Sequence, residues 1–307
     1  APGTCHRLWT VIGHKTREER NTPEIQRSDL AEVVLLLHSL GIREAATFDW
    51  LDKPDTQAVE RAERLLTMIG ALHDAELTSI GRQMLRLPMH PRYSRMLIEA
   101  SQRGCVPDAA LCAALVSGRD LLSRQDREGE RETFEESGDS DFITLMRAYD
   151  FAQANRFNFD RCRSHGINAQ VARQVEQTYQ QILQAARQQR LCDAPPGSPA
   201  KNDESLLRCL MAGFIDQLAK RREPGKPACD LTEQRQGQLV RESVVTDAPF
   251  FVAANLRQAP SRGPMPLTLL SLATAIKPEW IAEMFPHHLT TTVEHLFDAK
   301  NKRVSAM

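Results

Sequence analysis

The chain has 307 residues, 41% of them hydrophobic, too long for one ordinary core and apolar enough to fill two or three. Lys and Arg total 39 against 40 acids, and the net charge of -1 excludes a global attraction to nucleic acid or to an anionic membrane, so any such site is a local patch. Seven cysteines, odd in number and without a CxxC pair, fit neither a disulfide framework nor a zinc site and read as reduced thiols of a cytoplasmic protein.

The chain opens with a Pro-Gly turn signal, and Ala1 to Thr10 continues as a strand-like run ending in Leu8 and Trp9. Between Thr22 and Pro54 the residues Leu30, Val33, Val34, Leu37 and Leu40 recur at three and four, the stripe of a helix burying one face. Ser28 or Asp29 can cap its start and Gly41 can stop it, before an extended FDWLDKP segment. Asp55 to Ile69 predicts a second helix with Val59, Leu65, Leu66 and Ile69 inward, and GALHDAELT then reads as a small hairpin whose Thr78 caps a helix running to Arg86. Helix, helix, hairpin, helix is the order of a winged helix; its last helix offers only Arg82 and Arg86 as cations, which argues against base readout.

Two stretches carry a resemblance. TPEIQRSDLAEVVLLLHSLGI with FDWLDKP is the first. The second is the pattern set by Gly70, Leu72, Leu77, Thr78, Gly81, Met84, Leu87, Pro88, Pro91, Met96 and Leu97. Together they resemble the start of the winged-helix domain of DEAH-box/RHA-type helicases, of the bacterial HrpB-like branch. The resemblance implies that APGTCHRLWT follows the arginine-rich sixth motif of the second RecA-like ATPase domain. No GxxxxGK[ST] phosphate loop and no DEAH-like tetrad occurs in the sequence, so the chain is not expected to hydrolyse ATP by itself.

From Pro91 to Leu191 the pattern is helical, strongest at Ser94 to Gly104, Pro107 to Ser117, Phe142 to Asn155 and Asn168 to Gln189. Arg124 to Asp141 carries three arginines against eight acids and reads as a solvated connector, since its carboxylates lack an EF-hand order. On the helix Asn168 to Gln189, Val171, Val175, Tyr179, Ile182 and Ala186 line one side. Arg173, Gln177, Gln180, Gln184 and Arg187 line the other at spacings of four, three, four and three. Over Phe142 to Cys192 seven arginines, Arg163 among them, face three acids, a local charge of +4. Such a face can neutralise phosphates and offer bases donors and acceptors without demanding a sequence; it can equally be a plain solvated face. In the resembled helicases this region corresponds to the ratchet domain, along which single-stranded RNA passes, and that implies nucleic-acid contacts here.

Asp193 to Asp203 is a Pro- and Gly-rich linker. Glu204 to Ala219 reads as a helix ending in the cationic Lys220, Arg221 and Arg222. Gln238 to Thr246, Pro249 to Leu256 and Leu267 to Ala275 read as strands, Lys277 to Phe285 as a short helix, and Thr290 to Val304 as two more strands. This order resembles the oligonucleotide-binding-type barrel that closes the same helicases. Its loops present Arg257 and Arg262, while Trp280 and Phe285 pack the short helix. His287 and His288 have no metal-binding spacing, and Ser117-Gly118 lacks a GxSxG elbow.

The predicted fold is therefore α+β, multidomain and mainly helical: residues 1-21 as tail and linker, 22-90 winged helix, 91-192 helical ratchet bundle, 204-307 small OB-like barrel. The resemblance implies an accessory region that guides a single strand, expected to be RNA, beside RecA-like domains in cis. ATP and Mg belong to the full-length protein and none to this chain, nor is a metal expected here. The alternative is a stand-alone winged-helix nucleic-acid-binding or scaffold protein without a motor.

Overall fold

The computed structural model describes residues 2-17, 21-122, 134, 138-192, 202-259 and 267-289, together with the backbone of two short strands at 295-298 and 303-306. Residues 2-9 form no strand, contrary to the sequence expectation. A strand exists through the ladder it joins, and no partner for this one lies among the described residues. Thr10 instead caps a short helix α1 (Val11–Lys15), accepting the Gly13 amide at 3.0 Å.

The helix α2 (Ala31–Ser39) is started by Asp29, whose Oδ1 accepts the Ala31 amide at 2.8 Å, and Gly41 ends it with φ +84°. Its buried stripe differs from the predicted one by two residues: Leu30, Ala31, Val34, Leu35 and Leu37 are buried, whereas Val33 and Leu40 are 37% and 68% exposed. The inward face begins at Ala31 and repeats at 34-35 and 38, where His38 is buried and donates through Nδ1 to the Ala75 carbonyl at 3.0 Å. In the following segment Trp50 donates to the Ala45 carbonyl at 2.9 Å and meets Phe48 edge-on.

The helix α3 (Thr56–Met68) packs Val59, Ala62, Leu65 and Leu66 against α2, capped by Asp55. Gly70, at φ +77°, turns the chain into the strands β1 (Leu72–His73) and β2 (Glu76–Leu77), joined by Asp74 and Ala75 at φ +48° and +59°. Two successive left-handed residues make the hairpin turn whose twist matches its strands. The helix α4 (Ser79–Met84), capped by Thr78, ends two residues before the predicted Arg86 and lies so close to the hairpin that a Cβ on Gly81 would meet the Ala71 carbonyl oxygen at 2.3 Å.

The bundle consists of α5 (Pro91–Arg103), α6 (Val106–Ser117), α7 (Asp141–Ala154), a short α8 (Phe159–Arg163) that the sequence reading lacked, α9 (Ala169–Gln188) and α10 (Asn202–Phe214). α10 lies along α5, and Gly213 permits the approach, since a Cβ there would fall 2.4 Å from Met96 Cγ. Arg92 of α5 forms a two-pronged pair with Asp216, its Nη2 2.8 Å from Oδ2. Among the described residues no helix is long and apolar enough to cross a membrane.

The predicted helix Glu204 to Ala219 stops at Phe214, and Leu218 already begins a barrel strand. The strands are β3 (Leu218–Arg221), β4 (Ala228–Leu231), β5 (Gln236–Leu239), β6 (Phe250–Ala259) and β7 (Leu267–Ala275), closed in the order β3-β4-β5-β7-β6 with only β5 and β7 parallel. This is an OB-like barrel cored by Ala219, Cys229, Leu231, Phe251, Ala253, Leu270 and Ala273. Arg221, expected at the cationic end of a helix, is buried and donates to the carbonyls of Val245, Lys226 and Ala248. α11 (Pro278–Met284) buries Trp280 and Ile281, with Phe285 behind them, against the main core, and a hairpin of β8 (His295–Asp298) and β9 (Arg303–Ala306) follows.

Candidate nucleic-acid interface

α9 is fixed at its start by Asn168, whose Oδ1 accepts the Gln170 and Val171 amides at 3.1 and 3.2 Å. Val171, Ala172, Val175, Ile182, Leu183 and Ala186 are buried, and the helix packs chiefly on α6. The opposite side presents Arg173, Gln177, Gln180, Gln184 and Arg187, all exposed, as the spacing predicted. Tyr179, assigned to the apolar stripe, sits half-buried at its border.

These five side chains are not equally free. Arg173 donates through Nη2 to the Phe157 carbonyl at 3.0 Å, holding a turn in which Arg156 and Phe157 both have φ near +53°. Gln180 donates to Glu176 Oε1 at 3.0 Å, and Glu176 also accepts the buried Tyr149 hydroxyl. Burial, and then that carboxylate, push the Tyr149 hydroxyl well above its ordinary pKa. Gln177, Gln184 and Arg187 form no hydrogen bond or ion pair among the described residues, and Arg163 is exposed at the end of α8. Those four groups can meet a ligand without releasing a protein partner.

Arg257 lies elsewhere. It lines a hollow of about 410 Å³ between the barrel's outer wall and the loop that follows α6. Arg119 and Arg241 line the same hollow with Gln238, Asn255 and Ser271, and so do the acids Asp120, Asp141 and Glu242. The loop reaches α9 through its backbone, because the Asn168 amide donates to the Leu121 carbonyl at 2.9 Å and Leu122 bridges Ile167. The hollow and the first turn of α9 thus share one connector. Arg262 lies outside the described residues, as does most of the acidic run from Arg124.

A backbone anomaly shapes this wall. Leu272, at φ +56°, stands opposite Ala254 at the one gap in the β6–β7 ladder, and a left-handed leucine costs ~1–3 kcal/mol unless its surroundings hold it. Before the gap Phe251 and Ala253 face the barrel core; after it Leu256 takes that side, so Asn255 and Arg257 turn outward. The neighbouring residue is anchored from the bundle: Asp141 Oδ2 accepts the Ala273 amide at 2.7 Å, while Oδ1 accepts Ser243 Oγ and the Val244 amide, each at 2.9 Å. Ser140 caps α7 and meets Thr274 Oγ1 at 2.8 Å. The sequence reading placed Asp141 in a solvated acidic connector; it is 6% exposed and joins bundle to barrel. It also missed Arg119, Arg241 and Asn255, for which neighbouring positions gave no sign beyond the Gly118-Arg119-Asp120 turn.

The family comparisons agree with this architecture. The model for the winged-helix part of the helicase associated domain (HA2) matches residues 62–89, and that for its ratchet-like part matches residues 90–159. The pre-mRNA-splicing factor ATP-dependent RNA helicase prp22 of Schizosaccharomyces pombe is 31% identical over 227 residues, 72% of this chain and 19% of that protein. ATP-dependent RNA helicase HrpA of Escherichia coli is 26% identical over 314 residues, 94% of this chain and 23% of that protein. The chain therefore spans about a fifth of the length of these relatives. With winged helix, ratchet-like bundle and barrel in that order, the chain belongs to the DEAH-box/RHA-type helicases, as a C-terminal accessory region.

Proposed function

We propose that this region holds a single nucleic-acid strand, RNA by the names of its relatives, beside RecA-like ATPase domains of a longer cytoplasmic protein. The observation that carries the reading is the polar face of α9. Five Arg and Gln side chains stand exposed on a helix whose other face is buried, and three of them have no partner among the described residues. Arginine neutralises phosphate and glutamine offers both donors and acceptors, so the face suits a strand of any sequence. The hollow at Arg257, tied to the start of α9, extends the same chemistry onto the barrel.

ATP and Mg²⁺ would be held by the RecA-like domains. The sequence has no GxxxxGK[ST] phosphate loop, which supports assigning both to those domains. Closing and opening of the motor would then advance a strand that this region keeps in place.

The test is a titration of unrelated single-stranded RNAs at several salt concentrations. Arg187→Ala should weaken all of them about equally and lower the log–log salt slope by ~0.7, one phosphate's worth. Arg173→Ala should do the same while also loosening the turn at Phe157. Unchanged affinity and slope in a folded Arg187→Ala, Gln184→Ala double variant would place the strand elsewhere.

A further inference from the structure

A second hollow, of about 580 Å³, opens between the winged helix and the barrel mouth, within the ~300–1,000 Å³ of ordinary small-ligand sites. Its rim holds Arg27, Arg61, Arg64, Arg92 and Arg235 against the carboxylates of Asp29, Asp216 and Glu233. All three acids are already engaged. Arg92 grips Asp216; Glu233 is shared by Arg64 at 3.3 Å and Arg235 at 3.9 Å; Asp29 takes the Ala31 amide and stands 3.4 Å from His90 Nε2. Arg27 and Arg61 are exposed and have no partner among the described residues. Among the described residues the hollow therefore keeps two uncompensated guanidinium groups.

Its floor is different in kind. Leu30, Ala62 and Leu65 are buried there, and Met68 and Leu256 close it, both half-buried. The loop from the barrel side is held in an unusual shape, Glu233 and Gln234 standing at φ +62° and +57°. Thr232 Oγ1 and the Arg235 guanidinium both bond the Asp216 carbonyl, which fixes that loop over the opening. Left-handed non-glycine residues of this sort gather where a loop clamps a ligand.

We propose that this hollow binds a nucleotide unit, its phosphate between Arg27 and Arg61 and its base against the Leu65, Met68 and Leu256 wall. Guanidinium groups match phosphate oxygens in pairs and also stack on bases, and the apolar floor excludes water from a base face. The unit is either a free nucleotide or one residue of a strand; the chemistry is the same. The site is distinct from the α9 face, with which it shares no residue.

Adenosine 5′-monophosphate, titrated into the chain by calorimetry, is the probe. It should bind saturably, adenosine without its phosphate should bind at least ~10-fold more weakly, and Arg27→Gln with Arg61→Gln should weaken the monophosphate by a similar factor, the loss expected for removing charge-assisted bonds. Arg187→Ala should leave that affinity unchanged. Both rim arginines are solvent-facing and unpaired among the described residues, so the double variant should keep the wild-type melting temperature. Displacement of the monophosphate by a single-stranded RNA that still binds Arg187→Ala identifies a strand residue as the natural occupant; simultaneous binding identifies a free nucleotide. Absence of saturable binding, or an affinity unaffected by the double variant, would overturn the site. Inorganic phosphate competing as well as the monophosphate would overturn the seating of the base.

Discussion

Removing the Asp141 carboxylate should loosen the barrel from the bundle by an amount to which the bonds to Ser243, Val244 and Ala273 contribute. Asp141→Ala leaves the Ala273 amide, wholly buried, and the Val244 amide, half-buried, without acceptors. A buried orphan donor costs ~1–3 kcal/mol. Water can reach the Val244 amide, and Ser243 can turn its hydroxyl elsewhere, so the sum lies near ~3 kcal/mol by the same reckoning. Asp141→Asn keeps the shape, but its NH₂ group must face one of the N–H donors, so about half of that loss should remain. Urea denaturation followed by circular dichroism measures both. Two variants within ~0.5 kcal/mol of wild type would refute the buried joint and with it the fixed position of Arg257.

Gly81→Ala should destabilise by ~1–3 kcal/mol despite alanine's better helix propensity, because its Cβ would fall 2.3 Å from a backbone oxygen that cannot rotate away; a rise in the urea midpoint would contradict the close approach of α4 and the hairpin. Leu37→Ala should cost ~2–5 kcal/mol and Leu40→Ala less than ~0.5, and equal losses would restore the stripe predicted from the sequence. His90, foremost, holds the Asp29 carboxyl at about 2, below its ordinary 3.8. A lowered carboxyl pKa contributes stability that is complete above 3.8 and is lost as pH falls through about 2. Its side chain is 60% exposed, so solvent limits the contribution to less than ~1 kcal/mol. Asp29→Asn should flatten the stability–pH curve across that acid window, lying below wild type by that contribution at pH 5 and meeting it near pH 2, measured by urea midpoints.

What was legible in the sequence was whatever one element decides by itself. The breaker residues of the winged helix were read correctly because their reason is local: Gly70 must reach φ +77°, and Thr78 must cap α4. The polar face of α9 followed from period alone. The α2 stripe was off because Val33, Leu36 and Leu40 are as apolar as the residues that pack, and only the positions of α3 and the hairpin decide which face is inward. β3 and β4 were missed for a related reason. LAKR continues a helical sequence without a break, and ACDL is too short to show alternation, so both are strands only because the barrel needs them to close.

The site on the barrel was illegible for a stronger reason, which also says how it is held. Whether Arg257 faces the hollow or the barrel core depends on the half-turn at Leu272, and nothing in the alternation of β6 marks it. The left-handed leucine persists only while the ladder on each side is pinned: Asn255 pairs with Ser271 beyond the gap, and Ala253 pairs with Ala273 before it. Ala273 is the residue whose amide Asp141 takes from the first turn of α7. The same half-turn sends Leu256 towards the second hollow while Asn255 and Arg257 line the first. One carboxylate on the bundle thus sets the strand geometry on which both hollows depend. A change at Asp141 should therefore be felt in ligand binding as well as in stability, whereas Gln184→Ala and Arg187→Ala on the α9 face, which break no contact among the described residues, should be felt in strand binding alone.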